Sequence, residues 1–124
     1  MASEVKHEIR LKDGYRFQGV GGLVIRVVHP DVCGSDQLGM GVVYVHPGEE
    51  LPPHKHFNEE GYYIIQGHGY AIIDDERIEI EPNMALYMPA GSTHYTKNTG
   101  DEPMIFVCAL SPAPVATNSD DSGC

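Results

Sequence analysis

"GEELPPHKHFNEEGYYIIQG", residues 48–67, is where a polar, proline-bearing segment runs into an apolar one. A strand sends alternate side chains to one face, so His54 and His56 share a face, with Cα atoms about 6.6–7 Å apart. Imidazoles at that separation can converge on one ion. Pro52 and Pro53 hold the approach to His54 extended. Glu60 has the parity of both histidines, so a slight turn near Asn58 returns its carboxylate to the same space. Tyr62 continues that parity and is expected to point inward beside Glu60.

Outward from this segment, short runs rich in valine, isoleucine and tyrosine recur, and fourteen glycines and nine prolines punctuate them. Hardly any helical period is present. Strands are expected at 22–28, 38–45, 61–67, 69–74, 77–81, 84–89 and 104–110. Within "ERIEIEP", Ile78 and Ile80 take one face and Glu79 and Glu81 the other. "DDE" at 74–76 reads as the turn between two of these strands. About seven short antiparallel strands imply an all-β sandwich or barrel. At 124 residues the chain is one domain with a core of its own. Residues 15–110 are expected to form the barrel, 1–14 an arm or edge strand, and 111–124 a disordered tail.

A third histidine, His94, lies in "PAGSTHYTKN", with Gly91 supplying a turn before it. Three imidazoles and one carboxylate suit a divalent transition metal ion: Mn, Fe, Co, Ni, Zn or Cu. They suit Ca²⁺ and Mg²⁺ poorly, since those ions want mostly oxygen.

The spacing from Gly48 resembles the first cupin motif: Gly48, five residues, His54-Lys55-His56, three residues, Glu60, six residues, Gly67. The spacing from Asn83 resembles the second: five residues, Pro89-Ala90-Gly91, two residues, His94, three residues, Asn98. Asn83 stands where that motif opens with glycine; asparagine tolerates positive φ, so the turn is expected to survive. The resemblance implies a cupin jelly roll, a β-barrel/sandwich of short antiparallel strands. It implies a metal held near the barrel axis by His54, His56, Glu60 and His94, a small-molecule substrate, and a homodimer formed through sheet edges.

Composition narrows the partners. Eighteen acids against eight bases give a formal charge of −10, which opposes nucleic acid and anionic membrane surfaces. No apolar run is long enough to span a bilayer, and the N-terminus lacks a signal-peptide layout. Cys33, Cys108 and Cys124 make an odd count without CxxC spacing, which reads as free thiols in a cytoplasmic protein.

Other residues have two readings each. Tyr62 beside a cation can act as an acid or base, or simply pack. Its spacing after Glu60 also resembles, weakly, that of small cupin lyases acting on dimethylsulfoniopropionate. Arg26, inside "LVIRVV", either clamps an anionic group or faces water. The hydroxyls of Tyr44, Tyr62, Tyr63, Tyr70, Tyr87 and Tyr95 suit a polar small molecule, and Met40, Leu86 and Met88 are candidate pocket walls. His7, His29, His46 and His68 read as exposed or turn histidines, and Asn98 as a turn former. A four-donor site leaves positions open for substrate. Lewis-acid chemistry on a small oxygenated metabolite, of isomerase, epimerase or lyase type, is the leading expectation. An Fe or Mn dioxygenase and a non-catalytic binding or sensing cupin are the alternatives.

Overall fold

A computed structural model of the chain describes residues 4–19 and 22–113. Ten strands appear among them: β1 Tyr15–Gly19, β2 Gly22–Val28, β3 Gly39–Val45, β4 Glu50–Lys55, β5 Glu59–Gln66, β6 Gly69–Ile73, β7 Glu76–Ile80, β8 Ala85–Met88, β9 Thr93–Asn98 and β10 Met104–Ser111. They build an antiparallel two-sheet sandwich. The larger sheet runs β1-β2-β3-β10-β5-β8 and the smaller β4-β9-β6-β7. The all-β expectation holds, with more strands than the seven foreseen. β1, β4 and β9 are the additions, and the polar inward residues of β9 hide it from a hydropathy pattern.

Strict alternation makes the core. β3 and β10 bury every second residue, and Val43, Val45, Met104, Phe106 and Cys108 are fully enclosed. Val24, Ile64, Met88 and Leu110 close around them. Burying each of the larger of these side chains contributes about 1.5–3 kcal/mol. Tight turns set the register. Asp74 and Asn83 both have positive φ, 53° and 69°, as the "DDE" turn and the asparagine substitution require. Gly67 has a φ of 105° and lies so close to β10 that a Cβ would fall 2.7 Å from the Met104 Cα.

Several readings change here. His29 is buried, not exposed: its Nδ1 accepts from the Asp31 N–H at 3.0 Å and caps a one-turn helix, α1, at Pro30–Cys33. Capping needs an acceptor at that place, and imidazole serves. Arg26 does not face water; it is buried in the sandwich. Tyr44, Tyr63, Tyr70, Tyr87 and Tyr95 have the outward parity of their strands, so only Tyr62 of the six tyrosines faces the core. Met40 is likewise outward, while Leu86 and Met88 pack inside. Cys108 is disulfide-bonded and not the free thiol expected, and Cys33 is a free buried thiol. Residues 4–10 form no strand. β10 reaches Ser111, and the expected tail beyond 113 lies outside the described residues. No helix is long and apolar enough to cross a membrane among those described.

Candidate metal centre

His54 and His94 face each other as a cross-strand pair of β4 and β9. Their ring centroids are 4.2 Å apart, and His56, just past β4, places its ring 5.7 Å from His54 and 5.3 Å from His94. One nitrogen from each of the three lies within 4.8 Å of the others. Glu60 enters from β5 in the opposite sheet. Its Oε1 is 3.0 Å from His94 Nε2 and 3.2 Å from His56 Nε2.

The sequence explains how each donor is aimed. "LPP" keeps β4 extended, and the Pro52 carbonyl lies 2.8 Å from His54 Nδ1. A carbonyl only accepts, so Nδ1 carries the proton and Nε2 presents its lone pair. Gly91, at a φ of 81°, turns the chain between Pro89 and β9. The Ser92 hydroxyl donates to the Pro89 carbonyl at 2.6 Å and holds that turn beside His94.

These atoms fit a cation. Both oxygens of Glu60, both ring nitrogens of His94 and Nε2 of His54 are buried without a hydrogen bond among the described residues. Each orphaned polar atom of that kind costs about 1–3 kcal/mol. Three imidazoles and a carboxylate gathered within 3–5 Å match the needs of an N3O transition-metal site. Burial lowers the His54 pKa below the usual 6.5, and neighbouring His94 lowers it further. Its imidazole is thereby kept neutral, the form that ligates.

Tyr62 sits at the inner edge of this group. Its ring stacks on Phe106 at 4.1 Å and meets His94 edge-on at 6.3 Å. Burial, then the Glu60 charge, raises its pKa well above 10, against a lowering hydrogen bond from Thr96. As it stands, the phenol is neutral.

Asn98, read as a turn former, is more than that. Its Oδ1 accepts from Gly100 N–H at 2.9 Å, but its amide also donates to the Val45 and Glu102 carbonyls at 2.8 and 2.9 Å, with the side chain fully buried. Its backbone pairs with Gly48 and Glu49, which ties the start of the first motif to the end of the second. Motif spacing marked this residue; only the fold reveals its load.

Residues 41–110 match the profile of Cupin_2, described as Cupin domain. MJ1618, an uncharacterized protein of Methanocaldococcus jannaschii, is 28% identical over 93 residues, covering 74% of each chain. Polyketide synthase CurC of Streptomyces cyaneus is 30% identical over 93 residues, 74% of this chain but 60% of CurC, so the match spans about three fifths of that relative. Among solved structures, the polyketide cyclase RemF from Streptomyces resistomycificus superposes with a TM-score of 0.72 at 19% identity, over 94% of this chain and 89% of RemF.

Proposed function

The chain belongs to the cupin family, and from that premise we propose that it is a metal-dependent enzyme. In this reading His54, His56, Glu60 and His94 hold one divalent transition-metal ion, and the reaction is an isomerisation, epimerisation or elimination of a small oxygenated metabolite. The observation that carries the reading is the meeting of three imidazoles and a buried carboxylate, in which the Glu60 oxygens, the His94 ring nitrogens and His54 Nε2 have no hydrogen bond. A family whose fold serves many reactions does not itself name one.

Such an ion, when bound, polarises a hydroxyl or carbonyl oxygen of the substrate as a Lewis acid. The chain's own residues set the surroundings. Phe106, Leu86, Met88 and Leu110 line the sandwich interior with apolar surface and keep water from its inner end. Glu60 brings the one buried carboxylate among the described residues. Tyr62 holds a proton on its hydroxyl throughout the neutral range, and can hand it only to a strongly basic oxygen.

The test is elemental analysis of protein purified without added metal, run beside oxygen uptake with a panel of hydroxy acids and hydroxy ketones. Zinc, nickel, manganese or cobalt with turnover and no oxygen consumed is the expected result. Iron with substrate-dependent oxygen uptake would transfer the site to dioxygenase chemistry. A protein that neither carries metal nor takes it up on titration would defeat the reading. Tyr62→Phe is expected to keep the metal and lower turnover at least about tenfold, within the usual range for a general acid or base; an unchanged rate would leave Tyr62 a packing residue.

A homodimer is the second part of the proposal. The outer face of the larger sheet is apolar where water would favour polar residues. Tyr63, Ile65 and Tyr87 are 46%, 52% and 58% exposed, and Val42, Ile105 and Val107 lie half-buried beside them. Exposed apolar area of this kind marks an interface. Light scattering is expected to give twice the chain mass, and Ile65→Glu to halve it; a wild-type monomer at micromolar concentration would refute the dimer.

A further inference from the structure

The outer face of the larger sheet has a relief as well as an apolar character. Its middle row is Val42, Val107, Tyr63 and Ala85, on the neighbouring strands β3, β10, β5 and β8. Toward the metal end, the next row sets Ala109 beside Gly61. Toward the other end, Ile105 stands beside a bulge of β5: Phe106 pairs with Ile64 and Ile105 with Gln66, leaving Ile65 between them and exposed. Residues two apart on a strand share a face. Two small residues and two isoleucines thus lie on opposite sides of one line, each pair two residues from it.

The low side is a groove of about 260 Å³, with Gly61 and Ala109 on its floor and Leu38 and Tyr87 as exposed walls. Nothing within the chain requires glycine at its floor. A Cβ on Gly61 would come no nearer than 3.7 Å to the Leu86 carbonyl oxygen, an ordinary contact, and its backbone is outside the positive-φ region. Glycine weakens a strand interior, and where neither turn nor crowding demands it, it marks the close approach of another body.

Two features point to a second copy of this chain as that body. The relief is self-complementary: half a turn about an axis along the middle row sets Ile65 over Gly61 and Ile105 over Ala109, and the reverse contacts form at once. A two-fold contact needs that reciprocity. The three rows also hold no charged side chain among the described residues, so two chains of net charge −10 can meet there without opposing like charges. The rows cover four strands, about 19 by 20 Å in plan. That is the apolar core of an interface burying about 800 Å² per partner once a polar rim is added.

We propose that the groove over Gly61 and Ala109 receives Ile65 of a second copy, in a two-fold pair whose axis runs along the row of Val107 and Tyr63. Tyr63 then meets the partner's Tyr63 at the centre, with β5 crossing its counterpart in the opposite direction. The pairing rests on the homodimer reading above and adds what that reading leaves open: the axis, the register and the residue each copy inserts.

The experiment is sedimentation velocity over a dilution series, with the full chain and its variants. Wild type is expected to dimerise. Gly61→Val fills the groove and is expected to weaken the dimer at least about tenfold, because overpacking is met twice in a symmetric contact. Gly61→Val joined to Ile65→Ala exchanges bump and hollow and is expected to recover most of that loss. If dichroism shows Gly61→Val unfolded, Ala109→Leu fills the same floor from β10, with Ile105→Ala as its compensating change, and the same outcomes decide. A wild-type monomer would overturn both the pairing and the homodimer reading. A wild-type dimer that ignores the filled groove, or a double variant no tighter than the filling variant alone, would overturn the pairing and leave the homodimer standing.

Discussion

His94→Ala is expected to lose stoichiometric metal, with affinity falling more than about a hundredfold. Changes to residues that only support a ligand already cost 10–100-fold, and His94 is argued to be a ligand. It is also the most enclosed of the three histidines, at 3% exposure. Water therefore cannot easily take its place, and the Glu60 oxygen 3.0 Å away is left facing a void. His54, only partly buried, can be replaced in part by solvent, so His54→Ala is expected to weaken binding by less. Metal-to-protein ratio after dialysis against a weak chelator measures both, with far-ultraviolet dichroism to show that the strands persist. One metal per chain retained by folded His94→Ala would end the ligand assignment.

The largest effect on stability is expected at Asn98. Alanine there removes the partner of the Val45 carbonyl at a buried hydrogen bond, and of the Glu102 carbonyl and the Gly100 N–H at part-buried ones. At about 1–3 kcal/mol for a buried group left without its bond, the Val45 carbonyl alone represents that much, and the two part-buried bonds add to it. Domains of this size have about 5–15 kcal/mol in total. Asn98→Asp is expected to be no better, because it turns a second oxygen toward two carbonyl oxygens in place of an N–H donor. The urea midpoint reads this directly, and a loss below about 1 kcal/mol for Asn98→Ala would mean that the side chain is not carrying the junction.

How far these features can be read from sequence depends on what lies on each strand's inner face. β2 and β10 announce themselves because their inward residues, such as Val24, Phe106 and Leu110, are apolar. β9 does not, since its inward residues are His94, Thr96 and Asn98, and an apolar period cannot be seen where the buried positions are polar. That His54, His56, His94 and Glu60 meet is legible through type and spacing, with Glu60 brought back to the histidines by the bend near Asn58. The tyrosines were misjudged because abundance carries no parity. Tyr70 and Tyr95 pack against each other on the outer face of the smaller sheet, 5.9 Å between centroids, and only register could show that. For Arg26, a single basic residue in an apolar run leaves inside and outside equally open until its partners on β1 and β3 are known.

The donors are contributed from both sheets, Glu60 by β5 of the larger and His54 and His94 by β4 and β9 of the smaller. A cation seated among them is a rivet through the sandwich. Because it grips only the assembled fold, its binding free energy is added to that of folding. Resistance to heat then becomes partly a property of the surroundings: each tenfold rise in free metal above the dissociation constant adds about 1.4 kcal/mol. On the proposed metal-dependent reading, the melting temperature of this chain is expected to be a gauge of metal supply, and two preparations of identical sequence to differ in toughness according to what the solution offered them.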